Sequence, residues 1–331
     1  GCAAGAACAA GAAVGAGCAR ATAGARQARR TVDRARVRTA REGSGIARGW
    51  HPSVRACATR PVGDIPGVVM FQPGARALLG VIHLPPLPGA PRYDGDMAAL
   101  RARTARDAEA LAVAGFDAVL VENFGDAPFF RGRVPAETVA AMAVLADEAR
   151  RVSGLPLGVN VLRNDGLSAL AVAAATGARF VRVNVLVGAR VTDQGVIASE
   201  AAELLRLRRA LDAQRVSLVA DVGVKHSAPL AGHGSLEEEA VEAVERSLAD
   251  ALVVTGARTG EEASEADVAR VKAASHGRPV WLGSGVRAKT LGRWLSLADG
   301  VIVGSDLREG GRAGGPIDPA RARRFTAARH G

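Results

Sequence analysis

The stretch PVWLGSGVRAKTLGRWLSLADGVIVGSD (residues 279–306) holds two short apolar runs, each closing on a glycine–serine pair, on either side of a segment with helical period. The runs 279–285 and 300–306 have the length and composition of buried parallel strands, and 290–297 that of the helix connecting them. Toward the N-terminus the same alternation recurs. Strands are predicted at 77–84, 117–123, 156–162, 180–185, 217–225 and 251–256. Helices are predicted near 97–114, 135–152, 166–176, 199–213, 236–248 and 264–275, with a last one from 318. Gly115, Gly154 and Gly177 stand where a helix C-terminus favours a left-handed residue, and Pro135 where a first turn tolerates a missing N–H. Eight such units over about 240 residues predict an α/β fold, a (β/α)8 TIM barrel, which typically takes about 250. An open doubly wound sheet would show fewer strands and a glycine-rich nucleotide loop after the first; here PPLPGAPRYDGD (85–96) follows it.

The barrel is expected over residues 77–320, with a low-complexity arm at 1–76 and a basic tail at 321–331. Of the formal charge of +10, the arm carries +9, from twelve Arg against Asp33, Glu42 and Asp64. The barrel region is therefore nearly neutral and offers no general field for nucleic acid. All four cysteines (Cys2, Cys8, Cys18, Cys57) lie in the arm, in neither zinc nor disulfide-framework spacing. The arm is read as disordered, and as either transit-like in composition or translated upstream sequence, with initiation at Met70 expected in the second case. No apolar run approaches the roughly 18 residues that span a bilayer, and a cytoplasmic location is expected.

In such a barrel the chemistry collects at the C-terminal ends of the strands. The seventh and eighth predicted strands end in LGSGV and IVGSDL, which puts Gly283, Ser284, Gly285, Gly304 and Ser305 on adjacent loops. Glycines let backbone N–H groups approach an anion, serine hydroxyls donate, and a following helix N-terminus favours negative charge, so the two loops together predict a phosphate cradle. Strand alternation turns His83, Asn160, Asn184, Arg182, Asp221 and Lys225 inward, with Asn164 beyond the third strand. Glu122 and Asn123 are neighbours, and one of them points in. Burying Arg182 and Asp221 is costly unless they are paired, so a structural network with the asparagines competes with a catalytic role. Lys225, about 13 Å beyond Asp221 along an extended strand, reaches the mouth as an anion anchor or proton donor, with Schiff-base chemistry a less favoured third role. His226 has the opposite parity and is either structural or an acid/base. Glu122 is the favoured proton-abstracting carboxylate, with Asp126 and Asp165 as loop alternatives. His226 and His233 lack the company of a metal ligand set, so no metal and no cofactor beyond a ligand's phosphate is expected. The loop 124–134 carries Phe124, Phe129 and Phe130, either to close over a ligand or to pack between subunits of a homo-oligomer.

The segments GVIHLPPLPGAP, VENFGDAPF, GVNVLRND, RVNVLVGARVTDQG, DVGVKHSAPL, VVTGARTG, LGSGV and DGVIVGSDLREGG together resemble the BtpA/SgcQ family, over residues 77–320. The resemblance implies a barrel of the ribulose-phosphate-binding type. From the family's founding member it also implies a part in photosystem I biogenesis with peripheral membrane attachment, which the arginine-dominated composition here argues against. Two functions follow as expectations. One is an isomerase, epimerase or lyase acting on a small phosphorylated sugar or nucleotide-derived metabolite. The other is a non-enzymatic assembly factor that uses the barrel for binding.

Overall fold

A computed structural model describes residues 69–230, 234–256 and 261–329. Its barrel strands are β1 (Ala77–His83), β2 (Ala118–Glu122), β3 (Leu157–Asn160) and β4 (Phe180–Val183). Two strands outside the barrel, β5 (Ala189–Thr192) and β6 (Gly195–Ala198), come next, then barrel strand β7 (Ser217–Val222) and outlying β8 (Ser227–Pro229). The barrel continues with β9 (Ala251–Val254), β10 (Val280–Leu282) and β11 (Gly300–Val303). The eight barrel strands close in the order β1-β11-β10-β9-β7-β4-β3-β2, every neighbouring pair parallel. The (β/α)8 barrel predicted from the alternation is therefore the observed fold.

The outer helices are α1 (Met97–Ala114), α2 (Ala136–Ser153), α3 (Gly166–Thr176), α4 (Ala201–Ala210), α5 (Leu236–Glu245), α6 (Glu265–Ala274), α7 (Leu291–Leu297) and α8 (Pro319–Ala327). Their ends are set locally. Asp96, Asp165, Ser235, Ser264 and Asp318 each accept a first-turn N–H through the side chain. Gly115, Gly154 and Gly177 close their helices in the left-handed conformation, as expected. Pro135 proves to be the N-cap of α2, one position ahead of the first turn.

Two expected boundaries move. Residues 321–329 are not a tail: through Ala327 they continue α8, whose fully buried Phe325 stacks 6.2 Å from Phe116. At the other end, the barrel begins before residue 77. Met70 is buried, and Phe71 packs on Trp281 (5.2 Å) and Phe180 (5.9 Å), closing the N-terminal end. The rest of the expected arm, with its four cysteines, lies outside the described residues.

Alternation along the strands divides the inside of the barrel into two layers. Low in the barrel, Ala77, Leu79, Val81, Ala118, Leu120, Phe180, Val219, Ala251, Val253, Trp281 and Ile302 form an apolar plug. Two residues higher on β1, β2, β3, β4 and β7, the same inward parity brings His83, Glu122, Asn160, Arg182 and Asp221, all buried. The outward parity (Leu78, Val119, Val159, Val181, Leu218 and others) packs under the helices in the main core.

The strands β6, β5 and β8 form a small antiparallel sheet from the loops after β4 and β7. It was not anticipated, although RVTDQGVIA (190–198) carries its signal in β-branched residues on either side of an Asp193-Gln194 turn.

The plug is filled tightly enough to predict an outcome. A Cβ on Gly158 would come 2.1 Å from the Phe180 ring. Gly158→Ala should cost about 1–3 kcal/mol in urea unfolding by overpacking. Adding Phe180→Leu to that variant should recover much of the loss.

Candidate active site

A cavity of about 830 Å³ opens at the C-terminal end of the strands. His83, Glu122, Asn160, Arg182 and Asn184 line its floor, Lys225 and His226 one rim, and Gly283–Val286 with Gly304 and Ser305 another.

At the floor, Arg182 lies flat against Asp221 in a fork, Nε to Oδ1 at 2.8 Å and Nη2 to Oδ2 at 3.0 Å. Its third nitrogen, Nη1, donates to Glu122 Oε1 at 3.2 Å. Asn184 donates to Asp221 Oδ2 (2.8 Å), while Asn160 donates to the Arg182 carbonyl (2.8 Å) and to Asn184 Oδ1 (3.2 Å). Burial alone would depress the guanidinium's pKa, but Asp221 and then Glu122 more than offset it and raise it. Arg182 is thus a permanent cation. Gly283 packs beside it: a Cβ there would come 2.5 Å from Val253 Cγ1, 2.9 Å from Thr255 Cγ2 and 3.0 Å from Arg182 Nη2.

Asp221 does not line the cavity. Its carboxylate is taken up by Arg182 and Asn184, the structural pairing that the sequence sets against a catalytic role. Of the neighbours Glu122 and Asn123, the glutamate points in, and Asn123 instead accepts from Leu162 N (2.7 Å) and donates to Asp126 (3.0 Å). The carboxylates of Asp126 and Asp165 are also committed to structure. Asp126 accepts from Leu87 N and Asp165 from Val134 N and Ser168 N, and neither lines the cavity. Asn164 is likewise a latch rather than a ligand contact, exchanging two hydrogen bonds with the Val185 backbone at 2.7 and 3.1 Å.

His83 stacks on Phe124 with centroids 4.3 Å apart. Burial, reinforced by Arg308, Lys225, Arg103 and Arg182, holds its pKa well below the usual imidazole value. Nδ1 accepts from Gly314 N at 3.1 Å, so the neutral ring carries its proton on Nε2, which faces Glu122 Oε2 at 3.7 Å. Phe129 also lines the cavity, whereas Phe130 is exposed.

Strand β7 ends at Val222, and Gly223 turns the chain with φ +65°. Strand alternation therefore stops before Lys225 and His226, and the 13 Å extended-strand separation from Asp221 does not apply. Both residues reach the cavity, His226 with φ +55°. The sequence parity that turned His226 toward the helices is corrected by this turn. Lys225 forms no ion pair among the described residues. Burial, then the nearby Arg182 charge, lowers its pKa to about 8.

The two glycine loops are adjacent, as predicted, because β10 and β11 are neighbours. Asp306 Oδ2 accepts from Ala288 N (3.0 Å) and ties one loop to the other. Gly285 has φ +79°, and a Cβ there would lie 2.3 Å from the Glu261 backbone. The Ser284 hydroxyl is already occupied, accepting from Gly256 N (2.9 Å) and donating to the Glu261 carbonyl (3.1 Å). It braces the loop, and what remains for an anion is backbone and Ser305. Arg308, fully buried beneath, donates to the carbonyls of Val81 (2.9 Å), Gly315 (2.7 Å) and Gly304, and burial lowers its pKa to about 10.

Sequence reasoning passed over Arg163, Arg287 and Arg321, which all line the cavity. Arg163 and Arg287 lie in loops, where periodicity gives no facing, and Arg321 lies in the first turn of α8. Among the described residues no group of three or more His, Cys, Asp or Glu is placed to hold a metal, and His233 lies outside those residues. Nor, among them, is any helix long and apolar enough to cross a membrane.

The profile of the BtpA family matches residues 74–331. The photosystem I biogenesis protein BtpA of Synechocystis is 43% identical over 76% of this chain and 87% of its own length. An uncharacterized protein of Pyrococcus furiosus is 43% identical over 75% of this chain and 92% of its own. Among solved structures, the N-(5'-phosphoribosyl)anthranilate isomerase of Pyrococcus furiosus aligns with 77% of this chain and 98% of its own at 13% identity, with a TM-score of 0.46. That likeness speaks to neither substrate nor reaction.

Two measurements check this geometry. Asp221→Ala should destabilise the fold by about 3–5 kcal/mol, because it strands a buried guanidinium. Arg182→Met combined with Asp221→Leu should recover most of that loss in urea unfolding. In competitive amine labelling read by peptide mass, Lys225 should become reactive with a midpoint near pH 8. Since the folded chain sheds that proton before the unfolded chain does, Lys225 also adds to stability as pH rises from about 8 toward about 10.4.

Proposed function

The chain belongs to the BtpA family, and from the chemistry gathered at its barrel mouth we propose that it is an enzyme acting on a small phosphorylated sugar or nucleotide-derived metabolite. The reaction class is isomerase, epimerase or lyase chemistry that begins with proton abstraction beside a carbonyl. The observation that carries this reading is the grouping of Glu122 with three potential stabilisers of a developing oxyanion around one cavity. Those are the fixed Arg182 cation, the Nε2–H of neutral His83 and the ammonium of Lys225.

Glu122 is the base. Its Oε1 is held by Arg182, which fixes the carboxylate plane, and Oε2 is left toward the cavity and His83. Removing a proton from carbon leaves negative charge on the carbonyl oxygen, and donors already in place there stabilise it without reorganisation. Lys225 suits the return of a proton, because a group titrating near neutral pH both holds and releases one readily. The glycine loops over β10 and β11 hold the phosphate through backbone N–H groups and Ser305. Acid and base side chains suffice for this chemistry without a cofactor.

A second reading rests on the Synechocystis relative's name. As a biogenesis factor, the protein would use the same cavity only to bind. Fold does not decide between the two.

Deuterium exchange separates them. With a panel of phosphorylated aldoses and ketoses in D2O, at least one should acquire deuterium at the carbon beside its carbonyl. Glu122→Gln should slow that exchange at least about 100-fold while leaving thermal stabilisation by the same compound in place. Stabilisation by phosphorylated compounds with no exchange anywhere in the panel would favour the binding role. No stabilisation by any of them would remove the phosphate site.

A further inference from the structure

Each buried arginine in this barrel, with one exception, is met by acids or by several carbonyls. Arg182 is held by two carboxylates, Arg190 by Glu239 and Ser227, and Arg308 by three backbone carbonyls. Arg163 is the exception. It is 6% exposed and lines the cavity, and its side chain makes a single hydrogen bond among the described residues, from Nη2 to the Lys225 carbonyl at 2.7 Å. It makes no ion pair among those residues. Asp193, at the tip of the β5–β6 hairpin, shares the cavity and stays beyond ion-pair reach. No nitrogen of Arg163 is among the buried atoms without a partner, so its unused donors open onto the cavity, where an anion can meet them. Burial does lower its pKa, and an arginine still keeps its charge.

The position of Arg163 says what kind of anion this is. It follows β3, and in the closed order β1-β11-β10-β9-β7-β4-β3-β2 four steps separate β3 from β10 in either direction. Arg163 therefore stems from the loop across the barrel mouth from the Gly283–Val286 loop, and its guanidinium turns to the Lys225 backbone after β7, two strands from β10. That bond joins the loops after β3 and β7 into one rim, from which Arg163 and Lys225 both line the cavity, apart from the proposed phosphate on the loops after β10 and β11. One phosphate cannot occupy both ends of an 830 Å³ cavity. We propose that the ligand carries two anionic groups, a phosphate on the glycine loops and a second phosphate or a carboxylate gripped by the Arg163 fork, with the reacting carbon held between them over Glu122. This rests on the phosphate reading of the glycine loops. Arginine's planar fork suits either kind of second anion, and the probes distinguish them.

The test is binding, by calorimetry and thermal shift at fixed ionic strength, to three probes. D-ribose 5-phosphate carries one anionic group, D-fructose 1,6-bisphosphate two phosphates, and 6-phospho-D-gluconate a phosphate and a carboxylate. At least one of the two-anion probes should bind at least about 10-fold more tightly than ribose 5-phosphate, and which one does so names the second group. Arg163→Gln should abolish that preference while changing ribose 5-phosphate binding less than about 3-fold. Should this variant fail to fold, phenylglyoxal labelling of the unmodified protein takes its place, with the two-anion probe protecting Arg163 and ribose 5-phosphate leaving it reactive. Equal affinity for all three probes, a preference that survives Arg163→Gln, or an Arg163 that reacts regardless of probe would overturn the second anion site and leave the first standing. Failure of every probe to bind would overturn both.

Discussion

A guanidinium inside a parallel barrel is stable only where carboxylates meet it, and the Arg182–Asp221 fork is where this barrel meets that condition. The arginine lies on β4 in register with Val219 of the neighbouring β7, and Asp221 stands two residues farther along that strand at the same inward parity, within reach of the guanidinium. From that fork the rest of the upper layer follows. Asn184 occupies the remaining acceptor capacity of Asp221, and Asn160 ties the Arg182 backbone to Asn184. Glu122 takes the last guanidinium nitrogen on the cavity side. Position 283 must be small because Val253, Thr255 and the arginine all crowd it.

The layering separates stability from chemistry. Below the fork, Phe180, Trp281 and the aliphatic residues fill the barrel, and Phe71 stoppers it. Above it the interior is polar, open to the cavity and charged. A base that must hold its aim over a substrate benefits from a floor that cannot move, and the apolar plug beneath supplies one.

The loops around the mouth are held by the same logic. Asp126, Asp165 and Asn164 look in sequence like members of an active site, but each satisfies backbone N–H groups of a turn, which is what a buried loop requires. Ser284 and Arg308 do this for the glycine loops. The polar side chains left uncommitted, or held by one bond, are then few. Lys225 and Arg163 stand out among them because, among the described residues, neither forms an ion pair although acids lie nearby. A buried polar cluster at the floor of the cavity marks the candidate site, while the accounting of which donors are already used separates free groups from scaffolding.

The sequence by itself determined the barrel, because eight apolar runs alternating with helical segments leave few other ways to bury both faces of a parallel sheet. It also determined which strand residues point inward, since the period of two is a property of the extended backbone. His83, Asn160, Arg182, Asn184 and Asp221 were legible for that reason, as was the adjacency of the two glycine loops. Only the tertiary structure decided what lies past the strand ends. The left-handed turn at Gly223 brings both Lys225 and His226 to the mouth, and Arg163, from the loop after β3, turns to the Lys225 backbone there. It also decided which polar groups are already committed: a sequence shows that Asp221 is inward, but only the contacts show that Arg182 occupies it from below while Glu122 is left toward the cavity. Periodicity ends where the backbone stops being extended, and beyond that point facing is set by contacts between residues distant in the chain.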